Sequence, residues 1–292
     1  MKKVLVTGST GTIGSQLVPR LLAKPGVDVR VAARGSKGAA FDGLPKGAGT
    51  NFSVALFDYE KPDTMQKAFE GVDSLFLLTA GVENQVAVGN TLVDLAKNAG
   101  VKHIVRLSAY GAEIEPGIQL GRWHREVEKH IEQSGIAWTH LRPNNFFENF
   151  IHYYPPQKDG NIYLPWGMGA CSFVAGADVA DVAAHVLTSD GHEGKSYTLT
   201  GPEAFTVAQA ATTLASVVGR PVAYIDIPEA AARNAMVEMG LPAWQLEAML
   251  ELHAVNKAGL ASEVSDAVPS LLGRRATTFL EFVEQNAAAW RV

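Results

Sequence analysis

The stretch Val4-Leu5-Val6-Thr7-Gly8-Ser9-Thr10-Gly11-Thr12-Ile13-Gly14 limits what this chain can fold into more than any other. Three apolar β-formers run straight into a turn punctuated by glycines, and the turn opens an amphipathic segment over residues 13–22. That order predicts a strand, a phosphate loop and a helix. Gly8 permits a tight turn off the strand, Gly11 removes a Cβ where backbone must approach a pyrophosphate, and Gly14 lets the helix pack closely on the sheet. The helix N-terminus adds unpaired N–H groups and a partial positive charge. Thr7, Ser9, Thr10 and Thr12 can add hydroxyl donors. The spacing is G-x-x-G-x-x-G rather than G-x-G-x-x-G, so its position between strand and helix carries the expectation of a bound dinucleotide.

Strand and helix patterns alternate through the first half. Apolar runs predict strands at 4–6, 27–33, 52–57, 74–78, 103–107 and 137–141, and amphipathic stretches predict helices at 13–22, 62–69, 84–98 and about 120–133. Continuous Val/Leu/Ile strands between such helices imply a doubly wound, Rossmann-type α/β fold with a parallel sheet covered on both faces. After Pro143 the pattern changes. Tyr153-Tyr154-Pro155-Pro156 and Leu164-Pro165-Trp166-Gly167 read as irregular and aromatic, 177–187 as a helix and 196–199 as a short strand. Helices are expected at 207–218, 229–239, 243–256 and 277–289. The organisation expected is a dinucleotide-binding domain over 1–150 and a smaller, mostly helical substrate lobe over 151–292, with some strands returned to the main sheet.

Composition narrows the partners. A net charge of −5 implies no basic face and argues against nucleic acid. No apolar stretch approaches the ~18–20 residues of a membrane span. The run after Met1-Lys2-Lys3 is too short for a signal sequence and ends in the glycine loop, so a cytoplasmic location is expected. The single cysteine, Cys171, excludes an internal disulfide and reads as a small buried apolar residue. His103, His140, His185 and His192 show no paired ligand spacing, and no metal is expected. Apolar residues on the late helices serve either a core or a homodimer interface.

The end of the second expected strand selects the dinucleotide. An NAD site places Asp or Glu there; this chain has Ala33-Arg34-Gly35-Ser36-Lys37. A guanidinium at Arg34, with Lys37 beside it, suits the 2′-phosphate of NADP(H). Asp58 and Tyr59, after the third strand, are placed to flank adenine, although Asp58 can equally cap the segment at Pro62.

The chain resembles the NmrA-like branch of the atypical short-chain dehydrogenases/reductases. The resemblance rests on Thr7 to Gly14, Asp58, Ala68-Phe69-Glu70-Gly71-Val72-Asp73, Ala99-Gly100-Val101-Lys102-His103-Ile104-Val105, Ser108-Ala109 and His124-Arg125-Glu126-Val127-Glu128. It continues through Ser134-Gly135-Ile136, Leu141-Arg142-Pro143-Asn144-Asn145-Phe146-Phe147-Glu148-Asn149 and Asp178-Val179-Ala180-Asp181-Val182-Ala183. Within the branch, triphenylmethane dye reductases and NADPH:quinone oxidoreductases are most similar. The resemblance implies that Gly8, Thr10, Gly11, Thr12, Ile13 and Gly14 hold the pyrophosphate and Arg34 the 2′-phosphate. It puts Thr79 and Ala80 by the ribose, Ser108 after the fifth strand, and Pro143, Asn145 and Phe146 along the nicotinamide.

Most short-chain reductases use Tyr-x-x-x-Lys as proton donor and modulator. Aligned on Glu128, those positions hold Leu120 and His124, so the tyrosinate mechanism is not expected. Hydride transfer needs a nicotinamide held close to an electrophile in a dry pocket rather than a protein acid. The expected activity is therefore NADPH-dependent reduction of a conjugated small molecule such as a quinone, dye or imine. The alternative is an NAD(P)-sensing regulator with little catalysis. His124, Tyr110 and Ser108 are the catalytic candidates; His124 either donates a proton, bonds the ribose or simply packs. Phe146, Asn149, Tyr153 and Trp166 are the candidate substrate-pocket residues, with His152 and Tyr154 beside them.

Overall fold

The protein is described here by a computed structural model. It describes residues 1–33, 41, 47–58 and 61–290, so Arg34, Lys37 and Tyr59 lie outside the described residues. Two compact units are present. The first comprises Met1–Ile114, Gly121–Arg142 and Val179–Tyr197; the second comprises Glu115–Leu120, Pro143–Asp178 and Thr198–Val292.

The central sheet runs β3-β2-β1-β4-β5-β6-β9. Its strands are β1 (Lys2–Val6), β2 (Val27–Ala33), β3 (Asn51–Leu56), β4 (Ser74–Leu77), β5 (His103–Leu107), β6 (Ala137–Pro143) and β9 (Lys195–Leu199). The ladders from β3 through β6 are all parallel. Strand order reverses between β1 and β4, which opens a crevice at their C-terminal ends, the usual ligand position in such sheets.

Helix α1 (Gly14–Leu22) buries Leu17, Val18, Leu21 and Leu22 and packs on β2. α3 (Gln85–Asn98) and α4 (Gln119–Gln133) bring Leu92, Val93, Ala96, Val127 and Ile131 into one core with Leu5, Leu75, Leu77 and Ile104 of the sheet. The i, i+4 pairs Leu92/Ala96 and Val127/Ile131 are the apolar stripes that the sequence period predicts.

The second unit holds elements that the sequence reading leaves irregular. α5 (Asn149–His152) is one turn. β7 (Asn161–Leu164) pairs in parallel with β11 (Ala223–Asp226), and β8 (Ala170–Cys171) pairs antiparallel with β10 (Phe205–Thr206). α7 (Val207–Val218) starts with a capping box between Thr206 and Gln209 and ends at left-handed Gly219. α8 (Glu229–Glu238) and α9 (Ala243–Lys257) meet through Ala232, Met236, Leu246 and Leu250. The helix expected at 277–289 is shorter: α11 (Phe279–Gln285), capped by Thr278 and Glu281, gives way after Asn286 to a 3-10 turn at Ala287–Trp290. The core of this unit is aromatic, with Phe147, Phe150, Phe279 and Phe282 at centroid distances of 5.0–6.3 Å.

Candidate active site

The loop after β1 is built from hydroxyls below and bare backbone above. Thr7 Oγ1 donates to Phe76 O (3.1 Å) and Leu78 O (2.9 Å) and accepts from Leu78 N (2.9 Å). Ser9 Oγ donates to Ala32 O at 3.2 Å. Both side chains are buried and stitch the ends of β1, β2 and β4 together. Of the four hydroxyls the loop offers, those of Thr7 and Ser9 are thus engaged by the sheet. Thr10, Gly11 and Thr12 are exposed at the crest, while Ile13 is core.

The glycines take the geometry their positions require. Gly8 sits at φ +62°, and a Cβ there would lie 2.5 Å from Leu78 Cδ2. A Cβ on Gly14 would lie 2.2 Å from Gly8 O and 2.6 Å from Ser9 Cα, so no side chain fits between loop and helix. At Gly11 the nearest atom would be Gly8 O at 3.4 Å, an ordinary contact. The fold itself therefore does not demand glycine at position 11. α1 has no acidic residue in its first turn, which leaves the positive end of the helix open to an anion. A cradle of bare backbone at a helix N-terminus, on the crevice between β1 and β4, fits the pyrophosphate of a dinucleotide.

Thr79 and Ala80 follow β4 on the same edge. Thr79 Oγ1 accepts from Arg106 Nη2 at 3.1 Å, and Ala80 is exposed. Asp58 ends the segment after β3; its backbone N–H donates to Thr64 Oγ1 (3.1 Å), and its carboxylate lies 3.8 Å from Lys61 Nζ.

The catalytic candidates divide. His124, on α4, is half-buried, and its Nδ1 lies 3.4 Å from Arg106 Nη2. Burial and then the Arg106 charge push its pKa down to about 3, with Glu128 opposing weakly. The ring is neutral at ordinary pH, which corrects the expectation of His124 as an imidazolium proton donor. Ser108 is buried, with its hydroxyl beside the Glu128 carboxylate. Tyr110 is half-buried in the turn after β5.

Behind His124 is a network that sequence reasoning missed. Arg142 clamps Glu128 bidentately, Nε to Oε1 at 2.9 Å and Nη2 to Oε2 at 2.8 Å. Arg125 Nη1 joins Glu128 (3.0 Å) to Glu132 (2.6 Å), and Arg142 also reaches Glu113 at 3.1 Å. Glu128 is 0% exposed. Burial works to raise its carboxyl, but the hydrogen bonds from Arg142, with help from nearby Ser108, hold it down at about 2. Ligand atoms of Glu128, Glu132 and His140 lie within 4.8 Å of one another, a grouping the helix and strand spacing did not reveal. The two guanidiniums already occupy these carboxylates, so the arrangement is that of an ion-pair network.

In the second unit, Pro143 is buried, and Asn145 Nδ2 lies 3.4 Å from Cys171 Sγ and 3.3 Å from Asn256 Oδ1. Phe146 is half-buried and bridges to Val174. Asn149 opens α5. Tyr153 is 77% exposed, whereas Trp166 is 1% exposed. Trp166 Nε1 donates to His253 Nδ1 at 2.7 Å, and its ring stacks on Phe173. That corrects Trp166 from pocket wall to core: a buried indole with its N–H satisfied has nothing to offer a substrate. Tyr154 is likewise core. Cys171 is buried, and burial pushes its thiol up to about 12, leaving it inert.

The family model described as the NmrA-like family matches residues 1–283. An NAD(P)H azoreductase from Xenophilus azovorans is 38% identical over 98% of this chain and 99% of its own. The structure of the NADPH-dependent quinone oxidoreductase of Escherichia coli complexed with NADPH superposes with a TM-score of 0.84. It is 29% identical over 97% of this chain and 99% of that one. The triphenylmethane reductase of a Citrobacter species complexed with NADP(H) gives 0.83 at 28% identity, covering 97% and 99%. Matched by the family model over residues 1–283 and by relatives over nearly its whole length, this chain belongs to the NmrA-like family.

Proposed function

We propose that the protein is an NADPH-dependent reductase of conjugated electrophiles, in the class of quinones, azo compounds and cationic dyes. The observation that carries this reading is the bare-backbone cradle at Gly8, Gly11 and Gly14 in a chain 38% identical to a named azoreductase. When bound, NADPH supplies a hydride. The exposed crest Thr10-Gly11-Thr12 and the N-terminus of α1 bind its phosphates, and Thr79 and Ala80 border the ribose. Arg34 and Lys37 hold the 2′-phosphate, Asp58 and Tyr59 flank adenine, and Pro143, Asn145 and Phe146 border the nicotinamide. Phe146, Asn149 and Tyr153 are the remaining residues offered to the substrate.

No protein acid is needed for such acceptors. With Leu120 and His124 in place of the Tyr/Lys pair, and His124 neutral, the reduced acceptor takes its proton from water. An electron-poor conjugated acceptor tolerates this: hydride turns a quinone or azo compound into a stabilised anion and a cationic dye into a neutral leuco form, whereas a plain ketone yields an alkoxide that needs a proton in the transition state. We assign the protein to the cytoplasm as a consumer of NADPH, with a small molecule rather than nucleic acid as partner. A homodimer is the assembly to test by light scattering. Among the described residues no helix is long and apolar enough to cross a membrane.

The test is NADPH oxidation by the purified protein with a quinone, an azo dye, a triphenylmethane dye and a plain ketone. Turnover of the first three without the ketone is expected. Tyr110→Phe should retain at least about half the wild-type kcat, since no tyrosine proton enters the step. A ketone reductase activity lost in Tyr110→Phe would overturn the acid-free reading. Saturable NADPH binding with no turnover of any acceptor would favour a cofactor sensor instead. Arg34→Ala should lower kcat/KM for NADPH by roughly 10–100-fold and leave NADH nearly unchanged, the loss of one bidentate phosphate contact.

A further inference from the structure

Arg106 stands in β5 among Ile104, Val105 and Leu107, all buried, and is itself 1% exposed. A guanidinium in such a place is retained only if its N–H groups find acceptors. Nη1 donates to Leu77 O at 3.1 Å. Nη2 donates to Thr79 Oγ1 at 3.1 Å and faces His124 Nδ1 at 3.4 Å. One side chain thus ties the end of β4 to α4, across the edge that carries Thr79.

The chemistry of this contact has one solution. A guanidinium only donates, so Nδ1 of His124 must present its lone pair. The single proton of the neutral ring is then on Nε2. Two charged groups face the imidazole: Arg106 from β5, which opposes a second proton, and Glu128 further along α4, which favours one and is outweighed. Nε2 has no hydrogen-bond partner among the described residues and is not among the fully buried unpartnered atoms, which leaves its N–H available to a ligand.

We propose that Arg106 is a positioning residue that locks His124 as the Nε2–H tautomer, making it a neutral hydrogen-bond donor to an oxygen of the bound dinucleotide rather than an acid. The donor role rests on the dinucleotide reading above; the tautomer does not. A neutral donor keeps the same charge and the same bond across the working pH range. An imidazole near its ordinary pKa would change charge within that range.

The test is 15N NMR of the histidine rings in the full-length protein saturated with NADP+, with His124→Gln used to assign the signal. In the wild type, His124 should show unprotonated Nδ1 and protonated Nε2 with no titration between about pH 5 and 8. In Arg106→Met the proton is no longer fixed on Nε2, so the Nδ1 and Nε2 signals should move toward each other, and the midpoint should shift upward while burial still holds it below the ordinary value. Arg106→Lys retains a cation and is the second variant if the methionine protein does not fold; its ring should keep the wild-type tautomer. Kinetics give an independent readout. The amide of Gln reaches where Nε2 sits, whereas Asn reaches only the Nδ1 position. KM for NADPH should stay within about 3-fold in His124→Gln and rise roughly 10-fold in His124→Asn, with kcat moving less. A proton on Nδ1, a wild-type ring titrating near its ordinary value, or equal effects of Gln and Asn would overturn the proposal. The expected ring state in a protein that binds no NADPH would overturn the dinucleotide reading and leave the Arg106–His124 lock standing.

Discussion

Arg142→Met should be among the most destabilising single substitutions in this protein, costing about 3–5 kcal/mol. The reason is the carboxylate it leaves behind. Glu128 is fully buried, and Arg142 supplies both of its bidentate bonds. Arg125 keeps its own 3.0 Å bond to Glu128 but is shared with Glu132, so it compensates only part of the buried charge. Removing the bidentate partner leaves a buried charge short of compensation, whereas removing both members of the pair does not. Glu128→Leu combined with Arg142→Met should therefore recover at least about half of the loss. The measurement is thermal unfolding of both variants, where the single change should lower the midpoint by roughly 6–15 °C.

The pH dependence follows from the same pair. The Glu128 carboxyl lies at about 2 in the folded protein, below its ordinary value of 4.5. A depressed acid contributes stability that is present above the unfolded value and lost as pH falls toward the folded one. In Arg142→Met, burial is left to push the same carboxyl upward. The gap between variant and wild type should accordingly be widest above about pH 6 and shrink below about pH 4. A gap that does not vary with pH would mean that lost packing, not stranded charge, is what Arg142→Met measures.

How far the site was legible follows from what each signal consists of. The glycine loop could be read because glycine has few reasons to recur at three-residue spacing between a strand and a helix, and Gly8 and Gly14 do sit where no Cβ fits. The sheet could be read because strands buried on both faces are uninterrupted apolar runs. The same logic contained a signal that went unused. Arg106 interrupts one of those runs, and a lone cation inside a buried strand must have acceptors arranged around it. Thr7 and Ser9 are not assignable from sequence, because a hydroxyl beside a phosphate loop looks the same whether it faces ligand or sheet. Only Phe76, Leu78 and Ala32, more than twenty residues away, decide it. Trp166 is the same case, since its partner His253 lies 87 residues on. The strands β7, β8, β10 and β11 have two to four residues each, too few for a period to register. Their pairing is set by tertiary contacts.

Two glycines in the loop should fail in different ways, and the difference separates cofactor binding from folding. Gly14→Ala forces a methyl to within 2.2 Å of Gly8 O and 2.6 Å of Ser9 Cα. Both are backbone atoms, so loop and helix must move apart, and that costs about 1–3 kcal/mol or more in a packed region. The loop that moves is the proposed phosphate cradle, so NADPH affinity should fall at least ~100-fold, about 2.7 kcal/mol. Alone, that result cannot distinguish a damaged fold from a damaged site. Gly11→Ala can. Its methyl meets nothing closer than Gly8 O at 3.4 Å, and the residue is exposed, so stability should change by no more than about 0.5 kcal/mol. A pyrophosphate approaching the bare backbone there would collide with the same methyl, and NADPH affinity should drop by roughly 10-fold or more. Isothermal titration with NADPH, alongside thermal unfolding of the unliganded proteins, reads both quantities. A Gly11→Ala protein that binds NADPH as well as the wild type would mean that the phosphates do not lie against this crest, and the α1 cradle would lose its assignment.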